Sequence, residues 1–192
     1  MRAGWRWVGF LGAVLVGACS DSTGVSTKSI TTRGEAEAAF AFLRGACAQV
    51  DHLVSVDFAN PMVVAGVAGT ASVTGSKTST SYSSSYSSSS SHTSNLTITF
   101  DGYTATSGPF PVSGAVAWYD YVYSRTACSS SSCASSYDHT ESLSSSAVTL
   151  TFEYNGATYH DVIDIYASSP DYSPTWHVSL TNQAGTNFDF DY

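Results

Sequence analysis

Between residues 36 and 54 of the 192-residue chain, apolar residues recur with the period of an α-helix. Apolar side chains recur there at intervals of three and four, which places them on one face of an α-helix. Thr32 followed by Glu35 matches a capping box, a signal for a helix start. The pattern predicts a helix over roughly 33–56, ending before Asn60-Pro61 because proline keeps the preceding residue out of the helical region. The apolar stripe consists of Ala36, Ala39, Phe40, Leu43, Cys47, Val50 and Val54.

Period-two alternation in most of the remaining chain predicts β-strands. Asn155-Gly156 predicts a two-residue hairpin, because glycine permits the positive φ of a type I′ turn, and 183–185 predicts a second turn. Short connections of this kind make neighbouring strands antiparallel. The strand-like segments include 96–100, 112–123, 148–152, 162–166, 176–180 and 188–192.

These elements predict a fold that is α+β or mainly β. One N-terminal amphipathic helix would pack on a curved antiparallel sheet of about eight or nine strands, because a helix with one apolar face needs a surface that buries it. We expect residues 32–192 to form this single domain, which is long enough to bury a real core.

Two serine-rich tracts, 78–94 and 124–146, allow two interpretations. They are either disordered linkers or the polar ends of long hairpins. Tyr82 and Tyr86 favour strands, since residues four apart on a strand share a face. Similar short sequences around the two tracts also suggest an internal duplication of a long hairpin followed by an apolar strand.

The composition excludes several classes of protein. Ser and Thr number 35 and 21, only 11% of residues are charged, and the net charge is -8. Seven basic residues against fifteen acidic ones argue against a nucleic-acid partner. Disorder throughout the chain is disfavoured, since disorder usually goes with high charge and few aromatic residues, and this chain has 13% aromatic residues.

The first residues have the organisation of an export signal. Arg2 and Arg6 precede an apolar run at 8–16 and then small residues. This order describes a secretory signal peptide, and the run is too short to span a bilayer as a helix. The sequence Leu-Val-Gly-Ala-Cys at 15–19 resembles the lipobox of bacterial lipoproteins. The resemblance implies that residues 1–18 are removed and that Cys19 is lipidated; the alternative is a plain secretory peptide with an incidental cysteine.

A lipid on Cys19 would bind the protein to the membrane of the cell envelope. More than one acyl chain gives stable anchoring. Residues 19–31 are rich in Ser, Thr and Gly, and we expect a flexible tether. In enteric bacteria an Asp directly after the lipidated cysteine retains lipoproteins in the inner membrane. Ser20 occupies that place here, which favours the outer membrane if the cell has one.

The other cysteines have structural interpretations. Cys128 and Cys133 flank four serines, and a hairpin loop there would place them opposite each other, within disulfide distance, in an oxidising compartment. Cys47 lies on the apolar stripe of the helix, so a buried free thiol is favoured over a reactive one.

Familiar catalytic and metal-binding motifs are absent from the sequence. It contains no G-x-S-x-G, S-x-x-K, H-E-x-x-H or C-x-x-C. His160 and Asp164 would share a strand face, where an exposed polar surface is favoured over a metal or acid–base site. Asp189 and Asp191 also share a face and alternate with apolar residues, as in an amphipathic strand. We therefore predict no catalytic residue, metal or cofactor.

One surface suits ligand binding. Tyr119, Tyr121 and Tyr123 share a strand face opposite Trp118. Together with Trp176 they form a candidate surface for a glycan or an envelope protein. The alternative is that one face of the strand belongs to the core and the other carries ordinary surface tyrosines. The first hypothesis is a non-catalytic, envelope-anchored lipoprotein with a binding or structural role. The alternatives are a lipid- or lipoprotein-carrying module with a half-open β-barrel, by analogy with periplasmic carriers, and a secreted hydrolase with an unfamiliar site.

Overall fold

The computed structural model describes residues 27–106, 108–170 and 175–192. The described residues form one helix and a sheet of eight strands, in which each strand pairs antiparallel with the next along the chain. The predicted helix on an antiparallel sheet is confirmed. The elements are α1 (Arg33–Leu53), β1 (Met62–Ala65), β2 (Ala68–Ser83), β3 (Ser87–Thr104), β4 (Pro111–Cys128), β5 (Cys133–Tyr154), β6 (Ala157–Ser169), β7 (His177–Thr181) and β8 (Asn187–Asp191).

Helix α1 begins with the predicted capping box. The Thr32 hydroxyl accepts a hydrogen bond from the backbone N–H of Glu35, and the Glu35 carboxylate accepts one from the backbone N–H of Thr32. All seven residues of the predicted apolar stripe are buried. The helix ends at Leu53, three residues earlier than predicted, because Val54 adopts an extended conformation.

The interface between α1 and the sheet is filled by side chains. Phe40 and Leu43 of the helix are fully buried, as are Leu150 and Ile163 of the sheet. Residues on the sheet face that α1 covers, here called the inner face, are apolar along the row that joins Leu96, Trp118, Leu143, Ala167 and Val178. Dense packing of this kind gives the domain one continuous core.

The serine-rich tracts are strands, as the hairpin interpretation predicted. Strands β2 to β5 remain paired as far as their turns at 84–86 and 129–132. Residues 78–93 and 121–140 form the outer half of these strands, here called the distal ribbon. Its inner face is exposed at Ser79, Ser81, Ser90 and Tyr137, so α1 does not cover it.

The two ribbon turns have the same hydrogen bonds. Ser84 N–H donates to the carbonyl of Ser87, and Ser129 N–H donates to that of Ser132, both at 2.7 Å. Cys128 and Cys133 form the predicted disulfide at the second turn. The expectation for Tyr86 was wrong: it lies in the first turn, because β2 ends at Ser83, so it does not share a strand face with Tyr82.

A β-bulge changes which residues of β5 point inward. Leu143 faces the core, but beyond the irregularity between Ser145 and Val148 the buried positions shift to Val148 and Leu150. Ala147 has a positive φ of 59°, and its N–H donates to the Asp164 carboxylate at 2.7 Å. An irregularity of this type re-aims the strand, so that apolar side chains are buried on both sides of the bulge.

The residues directly before α1 are fixed to the sheet. Lys28 pairs with β6 through two backbone hydrogen bonds, to Thr158 and His160, and Ile30 is fully buried. The predicted C-terminal boundary of the tether, residue 31, was therefore wrong, because Lys28 and Ile30 already belong to the domain. Cys19 and the predicted signal peptide lie outside the described residues. Within the described residues, no helix has the length and apolar content needed to cross a membrane.

Candidate functional site

Charged and imidazole side chains gather on the inner face where the cover of α1 ends. The strand register places Lys77, Ser94, Asp120 and Glu141 side by side in one row across β2 to β5. The next row toward the distal ribbon contains His92 and His139, separated by Val122. We call the following residues the polar cluster: Arg44, Asp51, Lys77, His92, Asp120, His139 and Glu141.

Two residues of α1 join this cluster from above the sheet. Arg44 Nη2 contacts Glu141 Oε2 at 2.6 Å, and its guanidinium lies over the ring of Trp176, 4.9 Å from the centroid. Lys77 Nζ donates to the backbone carbonyl of Asp51 at 2.6 Å and lies 3.2 Å from its carboxylate. These contacts pair two of the three carboxylates of the cluster with permanent cations.

The third carboxylate, Asp120, contacts histidine. His139 Nε2 lies 3.0 Å from Asp120 Oδ1, while His92 Nε2 is 3.3 Å from the Ser94 hydroxyl. Asp120 belongs to two groups whose potential ligand atoms lie within 4.8 Å of one another: one with His139 and Glu141, the other with Asp51 and His92. No sequence motif marks these residues, because they come from three strands and a helix. Strand register and the packing of α1 bring them together.

The predicted tyrosine surface is present in part. Tyr119, Tyr121 and Tyr123 point to the outer face of β4 and are partly buried, whereas Trp118 points inward and is buried, as predicted. The placement of Trp176 was wrong. It is only 3% exposed and packs against Phe40 with a centroid distance of 5.2 Å, because the apolar stripe of α1 covers it.

Polar side chains border the tyrosines on both sides. Tyr119 lies between Asn95 and Ser142, and Tyr121 lies between Thr93 and Thr140. The third row runs from Ser91 through Tyr123 to Asp138. The outer face of the ribbon is therefore a column of aromatic rings between two columns of groups that donate and accept hydrogen bonds.

The other histidine and aspartate candidates lie on the outer face and form no common site. His160 contacts the Thr151 hydroxyl at 3.0 Å, whereas Asp164 binds the Ala147 amide, so each has its own partner. Asp189 and Asp191 are exposed and alternate with inward phenylalanines, as predicted for an amphipathic strand.

Cys47 is a fully buried free thiol, as predicted. Burial raises the pKa of this thiol well above its ordinary value, and the nearby Asp51 carboxylate raises it further. A thiol of this kind forms little thiolate, the reactive species.

Two clefts lie away from the polar cluster. One, of about 390 Å³, is lined at the C-terminal end of α1 by Gln49, His52 and Leu53 together with residues 65–67 and Thr106. The other, of about 330 Å³, is lined by Phe42, Phe110 and Phe152 among others. No protein family, curated protein or solved structure gives a significant match to the chain.

Proposed function

We propose that the protein is an envelope-anchored lipoprotein with a non-catalytic binding role, and that it binds a glycan of the cell envelope through its tyrosine strip. The strip is Tyr119, Tyr121 and Tyr123 on the outer face of β4. The observation that carries this proposal is the column of these rings between flanking hydroxyl, amide and carboxylate side chains, on the sheet face opposite α1.

The chemistry of the strip suits a polyhydroxylated ligand. Side chains at every second strand position are about 7 Å apart, so the rings form a linear platform. Tyrosine offers an apolar face and a polar tip with few rotatable bonds, which keeps the entropic cost of binding low. Hydroxyl groups on both sides can donate hydrogen bonds to sugar hydroxyls and can accept hydrogen bonds from them.

Two observations favour this role over the alternatives. Fully buried side chains such as Phe40 and Leu43 occupy the space that a lipid carrier would need between helix and sheet. In the polar cluster, Arg44 and Lys77 already pair with Glu141 and Asp51, which leaves these carboxylates poorly placed for acid–base work on a substrate.

The anchor is the lipid on Cys19. Because Lys28 is already bonded to the domain, about nine residues link the lipid to the sheet, a reach of roughly 30 Å when fully extended. Metabolic labelling with radioactive palmitate is expected to mark the protein, and Cys19→Ala is expected to abolish the label. Unchanged labelling of the variant would rule out this anchor.

Glycan binding can be tested by co-sedimentation with purified peptidoglycan sacculi. The wild-type protein is expected to bind saturably, and Tyr119→Ala combined with Tyr123→Ala is expected to weaken binding about tenfold or more, since each lost aromatic contact removes on the order of 1 kcal/mol. The matched control is Tyr137→Ala, an exposed tyrosine on the opposite face of the same ribbon.

Equal loss in the control and in the double variant would show nonspecific adhesion by exposed tyrosines. Absence of binding to sacculi would contradict the glycan ligand and leave the palmitate experiment as an independent test of the anchor.

A further inference from the structure

The polar cluster has an unbalanced charge that a cation would neutralise. Three carboxylates, those of Asp51, Asp120 and Glu141, lie near two permanent cations, Lys77 and Arg44. Among the described residues, the Asp120 carboxylate has its close contact with the His139 imidazole, 3.0 Å away, and not with a lysine or arginine. A carboxylate with little exposure to water is stabilised by a nearby positive charge, and a metal ion would supply one here.

The donor atoms around Asp120 are those that transition metals prefer. Zn²⁺ binds imidazole nitrogen and carboxylate oxygen, and sites with three protein ligands are completed by water. The ligand atoms of Asp120, His139 and Glu141 lie within 4.8 Å of one another, and the Asp120–His139 contact is 3.0 Å. Tetrahedral zinc separates its ligand atoms by about 3.3 Å, so the longest separation in this set would shorten by about 1.5 Å at most on binding.

The backbone holds these ligands in place. Asp120 and Glu141 are directly opposed on β4 and β5. His139 lies two residues before Glu141 in β5 and points to the same face. The His139 ring also packs edge-on against Tyr137. Ligands on paired strands are positioned more accurately than ligands on loops, which reduces the entropic cost of metal binding.

The second group around Asp120 is less suitable for a cation. It contains Asp51 and His92, but the side chain of Lys77, only 8% exposed, places its ammonium 3.2 Å from the Asp51 carboxylate. A buried ammonium at that distance repels a metal ion. Arg44 lies 2.6 Å from Glu141 in the first group, but its side chain is 36% exposed, so water and salt screen its charge better than that of Lys77.

We propose that the polar cluster binds one divalent transition-metal ion, Zn²⁺ or a similar ion, through Asp120, His139 and Glu141. The site lies on the inner face and the tyrosine strip lies on the outer face, so the metal site is independent of glycan binding. The ion would fasten β4 to β5 at the base of the distal ribbon and stabilise it.

The test is calorimetric titration of the chelator-treated, full-length protein with ZnCl₂. We expect one ion per chain, and we expect His139→Ala and Glu141→Gln each to lower the affinity at least tenfold. His160→Ala, which removes an exposed histidine on the other face, is the matched control and is expected to leave the affinity unchanged. Asp120→Asn, which preserves the side-chain volume, replaces His139→Ala if the latter fails to fold by circular dichroism.

Three outcomes would overturn the proposal. One is absence of saturable binding by the wild-type protein. Another is an equal loss of affinity in His160→Ala, or a loss in His92→Ala with none in His139→Ala. The third is an intense thiolate-to-metal absorption band after substitution with Co²⁺, which would assign the ion to a cysteine.

Discussion

The carboxylate of Asp161 accepts a 2.8 Å hydrogen bond from the backbone N–H of Ile30, which lies 131 positions earlier in the chain. Its other oxygen accepts hydrogen bonds from the backbone N–H groups of Val162 and Gln183. Asn182 completes the connection by donating to the carbonyl of Ile30 at 2.7 Å. One buried side chain therefore joins the segment before α1, strand β6 and the turn between β7 and β8.

Asp161→Asn is expected to destabilise the domain by about 2 kcal/mol. The amide keeps the volume of the carboxylate but replaces one accepting oxygen with a donor, which leaves a buried N–H without an acceptor. Asp161 is only 2% exposed, so water cannot substitute. Urea unfolding measures the loss, with Asp164→Asn as control, since that exposed amide can still accept from Ala147. Equal losses in both variants would contradict the role assigned to Asp161.

Glu35 is expected to make the stability of the domain depend on pH in acid. Burial would raise the pKa of this carboxyl, but hydrogen bonds from Thr31, Tyr159 and Thr32 outweigh burial and lower the pKa from 4.5 to about 2. Because the folded-state pKa is depressed, ionised Glu35 stabilises the fold above pH 4.5, and this stabilisation is lost as the pH falls through 2.

The variant Glu35→Gln is accordingly expected to be less stable than wild type at pH 7, and the difference is expected to shrink between pH 4.5 and 2. Thermal unfolding across this range measures the effect. Glu37→Gln, which removes only a surface pair with Arg33, is the control and should show little change. A stability difference that does not vary with pH would contradict the assignment.

Two buried tyrosines are expected to respond in opposite directions to loss of the hydroxyl. Tyr103 is fully buried and its hydroxyl has no hydrogen-bond partner within the described structure, so Tyr103→Phe is expected to raise the free energy of unfolding by about 1 kcal/mol. The Tyr159 hydroxyl donates to Glu35 at 2.7 Å, so Tyr159→Phe is expected to lower it by a similar amount. Destabilisation by both variants would show that the Tyr103 hydroxyl has a partner.

The Cys128–Cys133 disulfide is expected to stabilise the end of the ribbon more than the core. Closing so short a loop contributes about 2 kcal/mol in the chain-entropy model. Replacing both cysteines by serine is therefore expected to increase amide hydrogen exchange in 121–140 while leaving 143–152 protected. The hairpin of β2 and β3, which has the same turn hydrogen bonds without a disulfide, provides the internal comparison. Equal exchange of 121–140 in the wild-type protein and in the variant would contradict a local role.

The amphipathic helix could be predicted closely because its signals are local. The spacing from Ala36 to Val54 and the capping box at Thr32 depend on neighbours within a few residues. The hairpin at Asn155-Gly156 is a second local signal, and both residues have the predicted positive φ. The disulfide between Cys128 and Cys133 followed from a short loop, where sequence distance fixes spatial distance.

The candidate sites depended on contacts that the sequence does not display. Strand register brought Asp120 close to His92 and His139, which are 28 and 19 positions from it in the chain. A bulge at Ala147 reversed the inward alternation of β5, and no local period predicts that shift.

Local periodicity by itself determined the helix, the strand-rich sheet and the hairpin turns, because each rests on interactions between near neighbours in the chain. Only the tertiary structure decided that Trp176 is core, that Lys28 and Ile30 belong to the domain, and that charged side chains of α1 and β2 to β5 meet. These outcomes depend on which distant surfaces bury one another, and that choice is made by packing and register over the whole sheet.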